Sequence, residues 1–405
     1  MKSIRYRTAR DKADLLGQVF TPSSIADLLI HSINAEKNAI DNILDLGAGE
    51  GALTASALKH YTSAKALLIE IDPALAESTS SRMKLERNNS RVICASVFDN
   101  DWAIPSDLNL ILSNPPYIST PLTQPIKDII TASNLSIPAY GNWIRSDLAF
   151  LAKAWEISSL GCNFGFIVAS PIAKDLKFQT LRADLIGKIS GLCVTQLHEK
   201  TFRNAEVQAF LISGRRAVNR RRNVLLRKAL ANGLIVDELE ITYSEAICSL
   251  DIDYHRALHR MGLTATESLK TLASLGVEVK RGSKSLKDFE RLGMDAFHTT
   301  DFIGNSSEIS LRSTPTHYHL AKQGDILIPR VGSRCLIKQA RVKKGQGLFT
   351  DCIYRLTARP NHIDAVWNTL NSSFGADWRL ANAMGSCAKH ITVQTLMGMP
   401  ILSKN

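Results

Sequence analysis

The run Leu108-Asn-Leu-Ile-Leu-Ser-Asn114-Pro115-Pro116-Tyr117 constrains this chain more than any other stretch. Its apolar residues predict a buried strand. Two consecutive prolines lack the backbone donors that a sheet ladder needs, so the strand must end there. What remains is a stiff turn at the carboxyl end of a strand, presenting the Asn114 amide, the Pro115 carbonyl and the Tyr117 ring. Such a turn suits a flat substrate bearing an exocyclic amino group, whose delocalised lone pair makes it a poor nucleophile. Acceptors on Asn114 and Pro115, one for each N–H, favour a pyramidal nitrogen with its lone pair free, an effect realised mainly in the transition state. Tyr117 is placed to stack on the ring. Taken alone, the tetrapeptide reads equally well as a rigid strand end with a partly buried tyrosine, and its context decides.

Upstream, Asn42-Ile-Leu-Asp45-Leu-Gly47-Ala-Gly49-Glu50-Gly51 predicts a short strand, a loop with three alternate glycines and then a helix. The glycines let a ligand approach the backbone. A second strand, Ala66 to Asp72, ends in carboxylates roughly twenty residues beyond the glycines, where doubly wound sheets bind a ribose diol, and Glu70 is assigned that role. A third, Arg91 to Cys94, leads to Phe98 and Asp99, an acceptor suited to an adenine amino group. Each carboxylate alone is as readily a loop residue or a helix cap. Together with the Asn114 turn they form a set. No Lys-Ser/Thr follows the glycines, so the loop is not a phosphate cradle. Ribose and adenine without pyrophosphate point to S-adenosyl-L-methionine rather than NAD. Ahead of these motifs, Gly17-Gln-Val-Phe20-Thr21-Pro22 precedes an apolar periodic segment, with Thr21 as expected N-cap and Pro22 as first helical residue. Phe20 and Thr21 then stand at a helix entrance, where ligands are often held.

Past the turn, residues 119–142 are rich in Pro, Thr and Ser and read as a long functional loop. Helices near 144–160 and 176–189 flank a strand at 164–169. Segments 191–198 and 206–213 alternate as a hairpin. Phe202 near its tip is either a second aromatic wall for an extruded base or an ordinary core or surface residue. Seven basic and no acidic residues between Arg215 and Lys228 read as a basic interdomain linker able to grip phosphates, or as a solvated face. From residue 241 the texture is strands and turns, with basic residues clustered from Arg330 to Lys344, and suits binding rather than catalysis. The excess of eleven positive charges fits a polyanionic partner. Seven scattered cysteines without a Cys-x-x-Cys pair, and histidines without ligand spacing, predict reduced thiols and no metal site. With no apolar leader and no membrane-length run, a cytoplasmic protein with no membrane partner is expected.

In this order, Gly17 to Pro22, Asp45 to Gly51, Glu70 to Pro73, Asp99 and Asn114 to Tyr117 resemble the gamma-type adenine-N6 DNA methyltransferases of restriction-modification systems, over roughly residues 15–215. The resemblance implies an α/β, doubly wound, class I Rossmann-like fold dependent on S-adenosyl-L-methionine. It assigns Phe20, Thr21, Asp45, Gly47, Gly49, Glu70, Asp72, Asp99 and Asn114 to the cofactor, and Asn114, Pro115, Tyr117 and Phe202 to the target base. More loosely, Val279 to Gly282, His298 to Asp301 and Gly324 to Gly332 are similar to target-recognition domains of type I specificity subunits. The implied organisation is a methyltransferase domain over 1–240, including the basic linker, and an α+β DNA target-recognition domain over 241–405. The implied reaction is direct methyl transfer to N6 of an adenine flipped out of double-stranded DNA. A single recognition unit implies a monomer on DNA, with a cognate restriction endonuclease as a further partner. Two rivals stand beside it: a methyltransferase for RNA adenine or a protein glutamine amide, and a non-catalytic specificity subunit.

Overall fold

The computed structural model describes residues 19–36, 39–86, 89–99, 102–139, 141–202, 208–218, 223–260, 262–264, 270–312, 317–332, 335–383 and 389–402. The chain divides into two compact units, Met1–Ile252 and Asp253–Asn405.

The first unit opens with α1 (Ser23–Ser32), then alternates through β1 (Asn42–Leu46), α2 (Ala52–His60), β2 (Lys65–Glu70), α3 (Pro73–Leu85), β3 (Ser90–Cys94) and β4 (Leu110–Ser113). A two-stranded ribbon of β5 (Ser119–Pro121) and β6 (Trp143–Arg145) carries α4 (Gln124–Ser133) between its strands and leads into α5 (Ser146–Ile157). The unit continues through β7 (Asn163–Ala169), α6 (Ser170–Lys174), α7 (Gln179–Lys188), β8 (Ile189–Gln196), β9 (Ala209–Arg216), β10 (Val224–Ala229), β11 (Ile235–Ile241) and α8 (Tyr243–Cys248).

Nine strands form one sheet in the order β11-β10-β8-β9-β7-β4-β1-β2-β3. Strands β3, β2, β1, β4 and β7 run parallel, while β9 runs antiparallel between β7 and β8. The chain moves outward from β1 to β3 and returns to lay β4 on the other side of β1. Ligands of open α/β sheets bind outside the carboxyl ends of the strands at such a reversal. Both the glycine loop and the Asn114 turn emerge there. Helices cover both faces, which is why the central strands read as continuous apolar runs. Leu110 and Leu112 pack with Ile25, Leu29 and Leu53 of α1 and α2. Between them, Ile111 faces the opposite layer, with Leu148 and Trp155 of α5.

Three expectations are corrected. Residues 119–142 are not a loop: Pro125 sits in the first turn of α4, whose Ile126 and Ile129 are buried, so the prolines punctuate a helix. The basic run is not a linker. Arg215 and Arg216 end β9, and Arg227 and Lys228 lie inside β10, which pairs with both β8 and β11; Arg220 to Arg222 lie outside the described residues. The domain boundary falls at Ile252 rather than 240, because β11 extends the sheet and Ala246, Leu250 and Ile252 enter the first unit's core. The expected hairpin is formed by β8 and β9.

Beyond α9 (Ile252–Arg260), the second unit contains β12 (Glu278–Arg281), α10 (Leu286–Arg291), β13 (Ala296–Phe297), β14 (Ser306–Leu311), β15 (Leu320–Lys322), β16 (Ile326–Pro329), β17 (Gln339–Phe349), β18 (Ile353–Thr357), α11 (Ile363–Asn371), α12 (Ser373–Ala381) and α13 (Val393–Met397). Its seven strands assemble around β17, which pairs with β13, β14, β15 and β16. Arg379 of α12 is fully buried and donates to the carbonyls of Ile337, Lys338, Leu370 and Gly375 and to Gln339 Oε1. Burial pulls its pKa down to about 9. Among the described residues of the chain, no helix is long and apolar enough to cross a membrane.

Gly51 starts α2 with φ 71°, and a Cβ there would lie 2.7 Å from Met83 Cε. Gly51→Ala should therefore destabilise the protein by about 2–4 kcal/mol, through left-handed strain plus overpacking. Urea unfolding measures it, and a midpoint equal to that of the parent would contradict this packing.

Candidate active site

Asn114 is held from outside its own turn. Its Nδ2 donates to the Val19 carbonyl at 2.8 Å and to Thr21 Oγ1 at 2.9 Å. A backbone carbonyl can only accept, so the nitrogen must face Val19 and the amide oxygen must face away. Tyr117 donates its hydroxyl to that oxygen at 3.1 Å. One lone pair of Oδ1 is left for a further donor. Thr21 does not cap α1 as expected. Pro22 stands at the N-cap position, without a side-chain hydrogen bond, and the Thr21 hydroxyl serves Asn114 instead.

The glycine loop turns on Gly47, Gly49 and Gly51, at φ 70°, 54° and 71°. A Cβ on Gly47 would lie 2.9 Å from Phe150 Cε1, whereas one on Gly49 would project into open space, as a close ligand requires. Glu70, buried at the end of β2, accepts from Gly49 N–H at 2.7 Å and from Asp72 N–H at 2.9 Å, one bond to each oxygen. This carboxylate fixes the loop and still has unused lone pairs. Asp72 is spent as the N-cap of α3, accepting from Ala74 and Leu75, and does not line the crevice. Asp99 does line it, and its carboxylate also accepts from Ser96 N–H at 3.1 Å.

Together these elements enclose a cavity of about 400 Å³, lined by Phe20, Gly47, Gly49, Glu70, Asp99 and Asn114. A narrow extension reaches Thr21 and Asp45. The apolar walls of the 400 Å³ cavity include Ile71, Phe98, Pro116, Ile126 and Phe150, of which the sequence had marked only Phe98, beside Asp99, and Pro116, within the Asn114 turn. Ile71 left a trace: an apolar residue between two acidic ones, 55% exposed in the structure. Phe150 left none, because in sequence it is one more apolar residue of α5.

Two aromatic assignments fail. Tyr117 and Phe202 are 6% and 5% exposed and belong to the same apolar cluster as α1, so neither ring is presented for stacking. Pro115 is buried, and Pro116 lines the cavity instead. Several described members of the basic clusters are also engaged. Arg216 donates to the carbonyls of Trp155 and Ser158 and stacks over the Trp155 ring. Arg227 pairs with Glu238, Arg341 with Asp364 and Lys343 with Glu308.

Residues 22–143 match the family model described as "Methyltransferase small domain". A Type II methyltransferase, M.BsuBI of Bacillus subtilis, is 26% identical over 214 residues, covering 47% of this chain and 42% of that protein. A release factor glutamine methyltransferase of Cereibacter sphaeroides is 31% identical over 121 residues, covering 28% of this chain and 38% of that protein. The chain thus spans less than half the length of these curated relatives. Among solved structures, the type IIG restriction endonuclease BpuSI aligns over 96% of this chain and 59% of its own, at 12% identity and a TM-score of 0.50. The fold of the first unit is that of the class I S-adenosylmethionine-dependent methyltransferases. The residues present fit that cofactor, S-adenosylmethionine: a nucleoside-sized cavity with apolar walls, a buried carboxylate with free lone pairs and a glycine facing open space.

Asp45 is 1% exposed, and its pKa is pushed up to about 7. Desolvation is the main cause; hydrogen bonds from Thr54 oppose it, and the Glu70 charge adds to it. Between its ordinary value of 3.8 and about 7 the folded protein holds a proton that the unfolded chain has lost. Stability from this group is thus fully present below the lower value and lost as pH rises through the upper. The Tm of the ligand-free protein should fall across that window, and Asp45→Asn should flatten the fall. Parallel Tm profiles for the two proteins would reject the assignment.

Proposed function

We propose that this protein transfers a methyl group from S-adenosyl-L-methionine to the N6 amino group of an adenine extruded from double-stranded DNA, as the modification component of a restriction-modification or related defence system. The observation that carries this reading is the aim of Asn114. Its nitrogen is tied off on Val19 and Thr21, so its oxygen is the atom available to an incoming amino group. The second N–H is assigned to the Pro115 carbonyl, although Pro115 as a whole is buried and Pro116 forms the cavity wall. Positive charge developing on the attacking nitrogen strengthens both bonds in the transition state. The cofactor supplies the electrophilic methyl on a sulfonium. Glu70 would hold the ribose hydroxyls and Asp99 the adenine amino group, within the apolar walls that Phe20, Ile71, Phe98 and Phe150 provide. Tyr117 orients Asn114 instead of stacking on the base, and Phe202 supports the core beside it.

Duplex DNA as substrate is supported by the Type II relative and by the alignment with BpuSI, which runs through the second unit as well as the first. We assign site recognition to that second unit, residues 253–405. A cognate restriction endonuclease is the partner such a system would supply. The glutamine methyltransferase relative favours a second reading, transfer to a protein amide, which presents the same planar amino group. That relative matches 28% of this chain, against 47% for the Type II relative.

Expression in a host lacking adenine methylation, followed by single-molecule sequencing of its genome, should reveal N6-methyladenine in one short motif. An unmodified genome beside methylated glutamine would select the second reading, and methylcytosine would refute the choice of base. Asn114→Ala should lower transfer by about 10²–10³-fold with cofactor affinity nearly unchanged. Glu70→Ala should instead weaken cofactor binding, by about 1.5–3 kcal/mol in calorimetric titration; a reversed pattern would overturn both assignments.

A further inference from the structure

Val19, Phe20 and Thr21 are consecutive, and each touches part of the same site. The Val19 carbonyl and the Thr21 hydroxyl hold Asn114 Nδ2, across 95 and 93 residues of sequence. Phe20, between them, lines the large cavity and its extension together with Gly47 and Gly49. It is 47% exposed, an unusual state for an aromatic ring against an apolar cavity. A ligand lying along the glycine loop would cover it. The amide direction of Asn114 is therefore set by a segment that belongs neither to β4 nor to its turn, and that segment borders the cofactor cavity. Thr21 gives up helix capping to take part in this arrangement.

We propose that Val19 to Thr21 form a positioning strap that makes the grip on the target amino group depend on cofactor occupancy. Cofactor covering Phe20 steadies the strap, and the steadied strap fixes the direction of Asn114 Oδ1. Thr21 is a positioning residue, acting through Asn114. The coupling is reciprocal: a cofactor product tightens binding of the amino-bearing target by the same factor as the target tightens the product. This inference rests on the role given to Asn114 above.

Two measurements test it. In protein labelled with ¹⁵N-asparagine, the side-chain amide of Asn114 is identified by its absence from the Asn114→Ala spectrum. Its hydrogen exchange should slow on addition of S-adenosylhomocysteine. Thr21→Val should accelerate that exchange about tenfold, the order expected for loss of one hydrogen bond, and Thr21→Ser should restore it to within about twofold. Circular dichroism melting identifies any variant that fails to fold, in which case the serine variant and the effect of S-adenosylhomocysteine on the wild type carry the test. The second measurement compares equilibrium binding of a duplex with adenine at the target position and the same duplex with purine there. S-adenosylhomocysteine should tighten only the adenine duplex, by about 5–10-fold. The factor should vanish in Thr21→Val and return in Thr21→Ser. Unchanged exchange in folded Thr21→Val, or exchange indifferent to S-adenosylhomocysteine in the wild type, overturns the proposal. Because exchange is read without nucleic acid, it judges the strap even if the methyl acceptor proves to be a protein amide. The duplex comparison judges the choice of DNA separately.

Discussion

Everything at the site depends on β1 and β4 lying side by side in register, Ile43 against Leu110, Leu44 against Ile111 and Asp45 against Leu112. That pairing sets the glycine loop and the Asn-Pro-Pro turn at adjacent strand ends, although about seventy residues separate them in the chain. A buried hydrogen bond of 2.7 Å, from Ser113 Oγ to the Leu46 carbonyl, locks the two ends where the ladder stops. The prolines make such a lock necessary. With no N–H on residues 115 and 116 the ladder cannot continue, and a side chain must close the gap between the strands.

The crevice gives its two buried carboxylates different partners. Glu70 accepts backbone N–H groups on both oxygens, from Gly49 and Asp72. Asp45 has Thr54 as its hydrogen-bonding partner and lies close enough to feel the charge of Glu70, so it holds its proton toward neutrality. A site arranged this way offers one fixed acceptor and one acid that a nearby cation would ionise. Arg216 and Arg227 are already bound to carbonyls, an aromatic face and a carboxylate within the sheet. A count of basic residues therefore overstates what the described surface of this protein can give to phosphates.

The reversal of strand order that brings the site's strand ends together came from the structure. From sequence alone came the alternation of strands and helices, the β8–β9 hairpin and the choice of Gly47, Gly49, Glu70, Asp99 and Asn114 at strand ends and loops. These were legible because each obeys a local rule: apolar period, glycine where φ is positive, an acid closing a strand, prolines ending one. Tertiary structure decided the rest, because it depends on partners distant in sequence. Thr21 reads locally as a helix cap, and Asn114, 93 residues away, claims its hydroxyl. Asp72 reads as a ligand and is a cap. Tyr117 and Phe202 read as stacking rings, and both are buried in the apolar cluster that also contains α1. Phe150 reads as core and forms a wall of the cavity. A side chain's chemistry is written in its identity, but whether it faces a ligand or a neighbour is settled only when distant segments compete for the same hydrogen bonds and the same buried space.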